Sequence, residues 1–275
     1  AGLPPFINFF EIYNPTKYPE LYSKIPNTNY YQVADSIFIN KTIKDSIINY
    51  LKKNITPNPN IGVGYSDIGF ILLRFAIENI TKMRLDEYVS QNIYKSLNIK
   101  RLCYLPLNKF DKKEIAPTEY DSIFRKQLLW GYVHDGNAAL LGGISGHAGL
   151  FGNAESIAII LQILLDNGEY EGVKLFKPET IQKFTSVYFD KNRRGLGFDK
   201  PALNGLESPA CELASPYSYG HYGFTGTMFW VDPQYDLIYV FLSNRVYPTA
   251  NNTKISKNSI RTKVQQAIYQ SIINN

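Results

Sequence analysis

The feature that most restricts the fold is a change of period in the last third of the chain. Thr227–Val231 and Leu237–Ser243 are two β-rich runs, and Asp232-Pro233-Gln234-Tyr235-Asp236 lies between them. Short β-branched and aromatic runs around a Pro/Asp turn predict an antiparallel hairpin. Asn258–Ile273 then returns to helical spacing, with Ile260, Val264, Ala267, Ile268 and Ile272 on one predicted apolar stripe. Helices first, antiparallel strands next and a packing helix last predict an α+β class.

The earlier two thirds read as helices set in long irregular stretches. Pro4, Pro5, Pro15, Pro19, Pro26, Pro57 and Pro59 break up the aromatic opening. Within it, Ile37, Ile43, Ile47 and Leu51 predict a helix over Asp35–Lys53. Ser66 or Asp67 can cap a helix through Ile68, Ile71, Leu72, Phe75 and Ile80. A second helix is expected over Leu85–Leu97, and Asn98–Leu150 reads as mostly irregular, with a turn-rich Gly142–Gly149. Asn153 or Glu155 opens a helix through Leu165 that stops at Asn167-Gly168, and Pro178 starts a short one to Phe184.

Composition excludes several classes. With 44% hydrophobic residues, 21 tyrosines and 16 phenylalanines, the chain has far too much apolar content for a disordered segment. At 275 residues it is long enough to bury a full core. The net charge of +5 is spread over scattered residues, with denser runs at Lys109–Lys113, Lys191–Arg194 and Lys254–Arg261. None accompanies a nucleic-acid-binding motif, so no nucleic-acid partner is expected. The apolar stretches fall well short of the ~20 residues of a transmembrane helix, and none is expected. The first methionine is Met83, which fits a processed or excised product. Cys103 and Cys211 could pair across a loop or remain two free buried thiols.

Candidate chemistry concentrates in a few short stretches. His134, His147 and His221 are the three histidines, none at a metal-binding helical spacing, so neither metal nor cofactor is expected. Gly143-Ile144-Ser145-Gly146-His147 invites a nucleophile-elbow reading, but His147 stands where that turn needs glycine. The plainer reading is a turn that brings backbone close to another surface. Gly62-Val63-Gly64 lacks the Lys-Ser/Thr ending of a phosphate loop. Tyr65-Ser66-Asp67 is more informative, because a tyrosine just before a helix cap can project into a cleft and serve as a base beside cations. Its bland counterpart is a buried tyrosine before a capped helix. Gly220-His221-Tyr222-Gly223-Phe224-Thr225-Gly226 places three glycines beside a strand, where a ligand can approach backbone N–H groups; it also fits a glycine-loosened strand edge.

Taken together, Tyr65-Ser66-Asp67 and the later His221-Tyr222-Gly223 resemble the serine β-lactamase and penicillin-binding-protein family, in its class C and esterase branch. That family carries Ser-x-x-Lys, Tyr-x-Asn or Tyr-Ser-Asp, and Lys-Thr-Gly or His-x-Gly. The resemblance extends through Ala1-Gly2-Leu3-Pro4-Pro5, Tyr65–Leu73, Val133-His134-Asp135, Gly142–Phe151 and His221–Arg245. Ala1–Phe6, Arg125–Asp135, Asn192–Pro201 and Phe241–Pro248 further resemble the serine-hydrolase module C-terminal to family-three β-N-acetylglucosaminidases of Bacteroidetes-type bacteria. No serine of the chain is followed by lysine three positions later, so the Ser-x-x-Lys element is missing.

The resemblance implies one β-lactamase/transpeptidase-like domain over 1–275 without its N-terminal segment. A helical and loop region would run to about 190, with the sheet and packing helix over about 191–275. It implies an acyl-enzyme mechanism in which Tyr65 is the base, Asp67 orients the absent lysine and the substrate, and His221 supports the Tyr65 proton network. Phe224 would lend its N–H to the oxyanion hole. Ser66, Gly223, Thr225, Gly226, His134 and Asp135 would line or contact the substrate. The implied substrate is a small molecule or peptidoglycan-derived fragment: a β-lactam, a D-alanyl peptide or an ester. The implied partner is an N-terminal glycosidase module of the same polypeptide, at a periplasmic or cell-surface location. The 275 residues alone would be inactive. The alternative is a non-catalytic module binding wall glycan or peptide in the same cleft.

Overall fold

The computed structural model describes residues 2–58, 64–189, 193–202 and 208–274. Ala1, Pro59, Gly62, Val63, Lys191 and Asn192, named above, lie outside them. The chain gathers into two compact units. The first comprises residues up to Asn92, Cys103–Phe151 and Tyr247–Thr249, and the second the remainder.

In the first unit, α1 (Phe9–Ile12) precedes β1 (Tyr22–Ser23), β2 (Tyr30–Ala34) and β3 (Ile37–Asn40), an antiparallel sheet in the order β1-β3-β2. The helix expected over Asp35–Lys53 is therefore corrected: only its second half is helical, as α2 (Ile43–Asn54). Ser36 sits at φ 56°, a left-handed turn that ends β2 and starts β3. Ile37 thus belongs to a strand, while Ile43, Ile47 and Leu51 make the buried stripe of α2.

The next helix, α3 (Asp67–Thr81), begins at Ser66, whose side chain accepts the Gly69 N–H at 3.3 Å. It buries Ile68 and Ile71 against α1, α2 and Ala138–Leu141. The helix expected at Leu85 is short: α4 (Leu85–Val89) widens into a π turn at Ser90–Tyr94. Asn98–Leu150 holds more structure than its sequence suggested. It contains β4 (Leu102–Cys103), the hairpin of β5 (Pro117–Asp121) and β6 (Gln127–Trp130), and α5 (Gly136–Leu140). β7 (Phe151–Gly152) pairs with β4.

The second unit opens with α6 (Ala154–Leu165), capped by Asn153, whose side chain accepts the Ser156 N–H at 3.0 Å. Its predicted stop is met by Asn167 and Gly168, both at positive φ. The small hairpin of β8 (Glu169–Tyr170) and β9 (Val173–Lys174) leads to α7 (Pro178–Thr185). An antiparallel sheet β10-β11-β12 follows, from β10 (Tyr219–Tyr222), β11 (Met228–Asp232) and β12 (Leu237–Phe241). Strand alternation sorts its residues onto two faces. Met228, Trp230 and Tyr239 pack toward Ile268, and Tyr219 and Val231 pack toward Leu161 of α6. Gly220 is required by this packing, because a Cβ there would lie 2.2 Å from the Trp230 ring.

Behind α8 (Lys254–Lys257), the closing helix α9 (Ile260–Ile273) forms as predicted but presents a different face. Ile260, Val264 and Ile272 remain 37–39% exposed, whereas Gln265 and Tyr269 are fully buried. Gln265 Oε1 accepts the Cys211 N–H at 2.8 Å, and the Tyr269 hydroxyl donates to Asp232 at 2.7 Å. The predicted stripe is thus corrected: hydrogen bonds available only in the tertiary structure draw two polar side chains inward. Cys103 and Cys211 are free and buried, which resolves the pairing left open above.

Candidate functional site

In the first unit, the local sequence of Tyr65-Ser66-Asp67 is held from both sides. The Ser66 hydroxyl donates to Pro4 O at 2.7 Å while its oxygen caps α3. The Asp67 N–H donates to Pro5 O at 2.9 Å, and Leu3 packs near Gly69. The Gly2-Leu3-Pro4-Pro5 segment therefore braces the start of α3 and leaves Tyr65, 48% exposed, as the last residue before the cap. A capped, braced helix start holds a projecting phenol at a fixed place, whereas a free loop would not.

His134 and Asp135 enter a polar network in this unit. His134 Nε2 lies 3.1 Å from Glu119 Oε1. Arg125, 3% exposed, donates to Asp121 at 2.7 Å, to Val133 O at 2.6 Å and to His134 O at 2.7 Å. Asp135 caps α5 by accepting the Ala138 N–H at 2.7 Å, and its Oδ1 lies 2.9 Å from His147 Nε2. His147 Nδ1 lies 2.9 Å from Ser145 Oγ. A carboxylate can only accept, so Nε2 carries a proton. Burial would raise the Asp135 carboxyl, but the His147 ring and the Ala138 N–H outweigh it and hold it below the usual value.

Ser145 is only 1% exposed, so this Ser-His-Asp chain offers no accessible nucleophile. The Gly142–Gly149 turn serves close approach instead: a Cβ on Gly146 would lie 2.3 Å from Phe70 O. Arg74 of α3 donates to Leu141 O at 3.1 Å and to Ile144 O, and the Tyr104 hydroxyl donates to Ser145 O at 3.0 Å.

In the second unit, β10 carries His221 into a tight turn. His221 Nδ1 lies 2.7 Å from Tyr222 O. Since a carbonyl only accepts, Nδ1 carries a proton. The Gly223 N–H donates to Thr227 O at 2.9 Å and the Gly226 N–H to Gly223 O at 3.1 Å, closing the turn through Phe224 and Thr225. Gly226, at φ 107°, takes a backbone conformation that a side chain would strain. Phe224 stands 65% exposed at the turn. Two arginines absent from the sequence-predicted set reach it, Arg245 donating to Phe224 O and Arg261 to Gly223 O. They lie 21 and 38 residues from their partners, beyond any local pattern. The predicted site residues thus fall into two groups: Tyr65, Ser66, Asp67, His134 and Asp135 in the first unit, and His221, Gly223, Phe224, Thr225 and Gly226 in the second.

One unit with an antiparallel sheet packed by helices, and another of helices and short strands in which Tyr-Ser-Asp leads into α3, make the β-lactamase/penicillin-binding-protein-like fold. Residues 19–259 match the family model described as Beta-lactamase, and the chain belongs to that family. Proteins of Salmonella agona and Salmonella gallinarum, named provisionally as D-alanyl-D-alanine carboxypeptidases, are 37% and 36% identical over 246 residues. That alignment covers 85% of this chain and 56% of each relative, so the chain spans about half the length of the curated relatives it matches. Among solved structures, unliganded simvastatin synthase from Aspergillus terreus aligns at TM-score 0.55 and 17% identity, over 83% of this chain and 62% of its own. An octameric penicillin-binding protein homologue from Pyrococcus abyssi aligns at TM-score 0.52 and 18% identity, over 79% and 47%. These two likenesses speak to the fold. Among the described residues, no helix is long and apolar enough to cross a membrane.

Proposed function

We propose that this chain is the larger part of a serine acyl hydrolase acting on D-alanyl peptides or related acyl compounds, with its nucleophile on a segment outside these 275 residues. The observation that carries the reading is the Gly223–Gly226 turn, whose backbone is fixed by hydrogen bonds while Phe224 stays at the surface. Such a turn can offer an N–H to a carbonyl that becomes an oxyanion, and one donor of this kind is typically worth about 2.7–4 kcal/mol. The family match and the provisional naming of the Salmonella relatives favour a peptide ending in D-alanine over other acyl groups.

In this reading the serine oxygen bonds to the substrate carbonyl carbon, and the carbon–nitrogen bond breaks. Tyr65, with the lysine that Asp67 orients, takes the serine proton and passes it to the departing amine. Water then attacks the acyl-enzyme, gives a proton back through Tyr65 to the serine, and releases the acid. His221 holds the Tyr65 proton network, and Gly223, Thr225, Gly226, Ser66, His134 and Asp135 shape or contact the substrate. The same reading places the chain behind a glycosidase module, in the periplasm or at the cell surface, and makes the 275 residues alone inactive.

The test is turnover of p-nitrophenyl acetate, nitrocefin and a peptide ending in D-Ala-D-Ala by the whole polypeptide and by residues 1–275. The whole polypeptide should turn over at least one of them and the shorter chain none. Tyr65→Phe should lower kcat by roughly 10²–10⁴-fold. No turnover by the whole polypeptide, with no labelling by a fluorophosphonate or penicillin probe, leaves the binding-module alternative in its place.

A further inference from the structure

We propose that Arg261 and Arg245 are positioning residues that aim the Phe224 N–H, with Arg261 also polarising it; the proposal rests on the oxyanion role given to that N–H above. A trans peptide unit is planar, so its C=O and N–H point in opposite directions. Among the described residues the cis bond is Tyr247–Pro248, and the Gly223–Phe224 unit is trans. Its two ends are Gly223 O and the Phe224 N–H. Whatever fixes Gly223 O therefore fixes the direction of the Phe224 N–H.

Gly223 O accepts from Arg261 Nη1 at 3.3 Å and from the Gly226 N–H at 3.1 Å, which occupies both lone pairs. Arg261 is itself held, since Nη1 donates to Thr227 O at 2.9 Å and the guanidinium lies 4.2 Å from the Tyr222 ring centroid. The following peptide unit is held as firmly. Phe224 O accepts from Arg245 Nε at 2.7 Å, and Arg245 Nη1 donates to Ala250 O at 2.9 Å and Asn252 O at 3.1 Å. The Arg245 guanidinium lies 4.3 Å from the Phe224 ring centroid, and its backbone N–H donates to Thr225 O at 2.9 Å. With both flanking planes pinned, the φ and ψ of Phe224 are set although its side chain is largely in solvent.

Arg261, which meets the carbonyl of the unit carrying the Phe224 N–H, also changes the chemistry. A cation at the carbonyl end of a peptide draws charge along the unit and makes its N–H a stronger donor. Among the described residues neither guanidinium is within ion-pair distance of a carboxylate. A negative charge forming beyond the Phe224 N–H would meet a preoriented dipole backed by positive charge, the arrangement that stabilises an oxyanion without reorganisation. Fastening of the hairpin alone would not require both peptides that flank Phe224 to be held by cations.

The experiment uses the whole polypeptide that carries this chain, with Arg261→Gln, Arg261→Lys and Arg245→Gln. The readouts are kcat and KM for p-nitrophenyl acetate and inhibition by phenylboronic acid, whose tetrahedral adduct puts an oxygen on the oxyanion donors. Arg261→Gln should lower kcat about tenfold and weaken the boronic acid about tenfold, with KM changed less than about twofold. Arg261→Lys should recover part of both losses, and Arg245→Gln should resemble Arg261→Gln. A folded Arg261→Gln or Arg245→Gln protein with unchanged kcat and boronate inhibition overturns the proposal. So does a loss that tracks only the folded fraction and is not relieved in Arg261→Lys. If the unaltered polypeptide neither turns over substrate nor binds the boronic acid, the hydrolase reading fails first and this inference with it.

Discussion

Lys200 shows how far a single residue can depart from its sequence character. It is 6% exposed, and its ammonium donates to Tyr217 O at 3.2 Å and Ser218 O at 3.0 Å. Burial pushes its pKa down to about 8, against the opposing pull of Asp232. In an unfolded chain the group titrates near 10.4. Between these values the unfolded state holds the proton more tightly, so this group's contribution to stability rises with pH from about 8 to about 10. Lys200→Met removes the titration. Its stability relative to the unaltered chain should therefore improve as pH falls through that window, read from denaturant midpoints at pH 7.5 and 10. A flat difference would show that the ammonium is not withdrawn from water. Nothing in the local sequence marks this lysine, since its burial depends on Tyr217, Ser218 and the bridge of Asp199 to Gly220.

Among elements, α9 separates what periodicity can and cannot report. Its existence and ends follow from local spacing, but its inward face follows from partners elsewhere. Tyr269 meets Asp232, which also accepts from the Ser215 N–H at 2.8 Å and the Ser215 hydroxyl at 2.6 Å. Tyr269→Phe leaves this buried carboxylate one donor short and should cost about 1.5–3 kcal/mol. Val264→Ser, on the part of the apolar stripe that stays in solvent, should cost less than about 0.5 kcal/mol. Equal losses in the two variants by chemical denaturation would restore the stripe as the packing face. By contrast, α3, α6 and the β11–β12 hairpin follow from cap and turn residues that act within a few positions. The first half of Asp35–Lys53 was misleading because Ile37, Phe38 and Ile39 suit either period, and the choice fell to pairing with β2.

For the molecule as a whole, acid should act first on the first unit. Burial there would raise the carboxyls of Glu78 and Asp121, but their cations outweigh it and hold both low. Glu78 is held by Arg74 and Lys44, and Asp121 by Arg125. Asp135 is lowered in the same way beside His147. A lowered carboxyl adds stability that is full above its unfolded value near 4 and is lost as pH falls through the folded value. Stability should therefore decline below about pH 4, with hydrogen-exchange protection lost first around α3 and the Asp121–Arg125 turn. Protection that survives there while the β10-β11-β12 sheet opens would contradict this order.

The sequence by itself determined the α+β class, the capped starts of α3 and α6, the terminal hairpin and the family to which these belong, because those signals are short-range or carried by ordered motifs. Only the tertiary structure decided that Gln265 and Tyr269 face inward, that Ser145 is closed to solvent, and that two distant arginines grip the peptides flanking Phe224. Burial and long-range hydrogen bonds are properties of neighbours in space, and those neighbours are scattered along the chain.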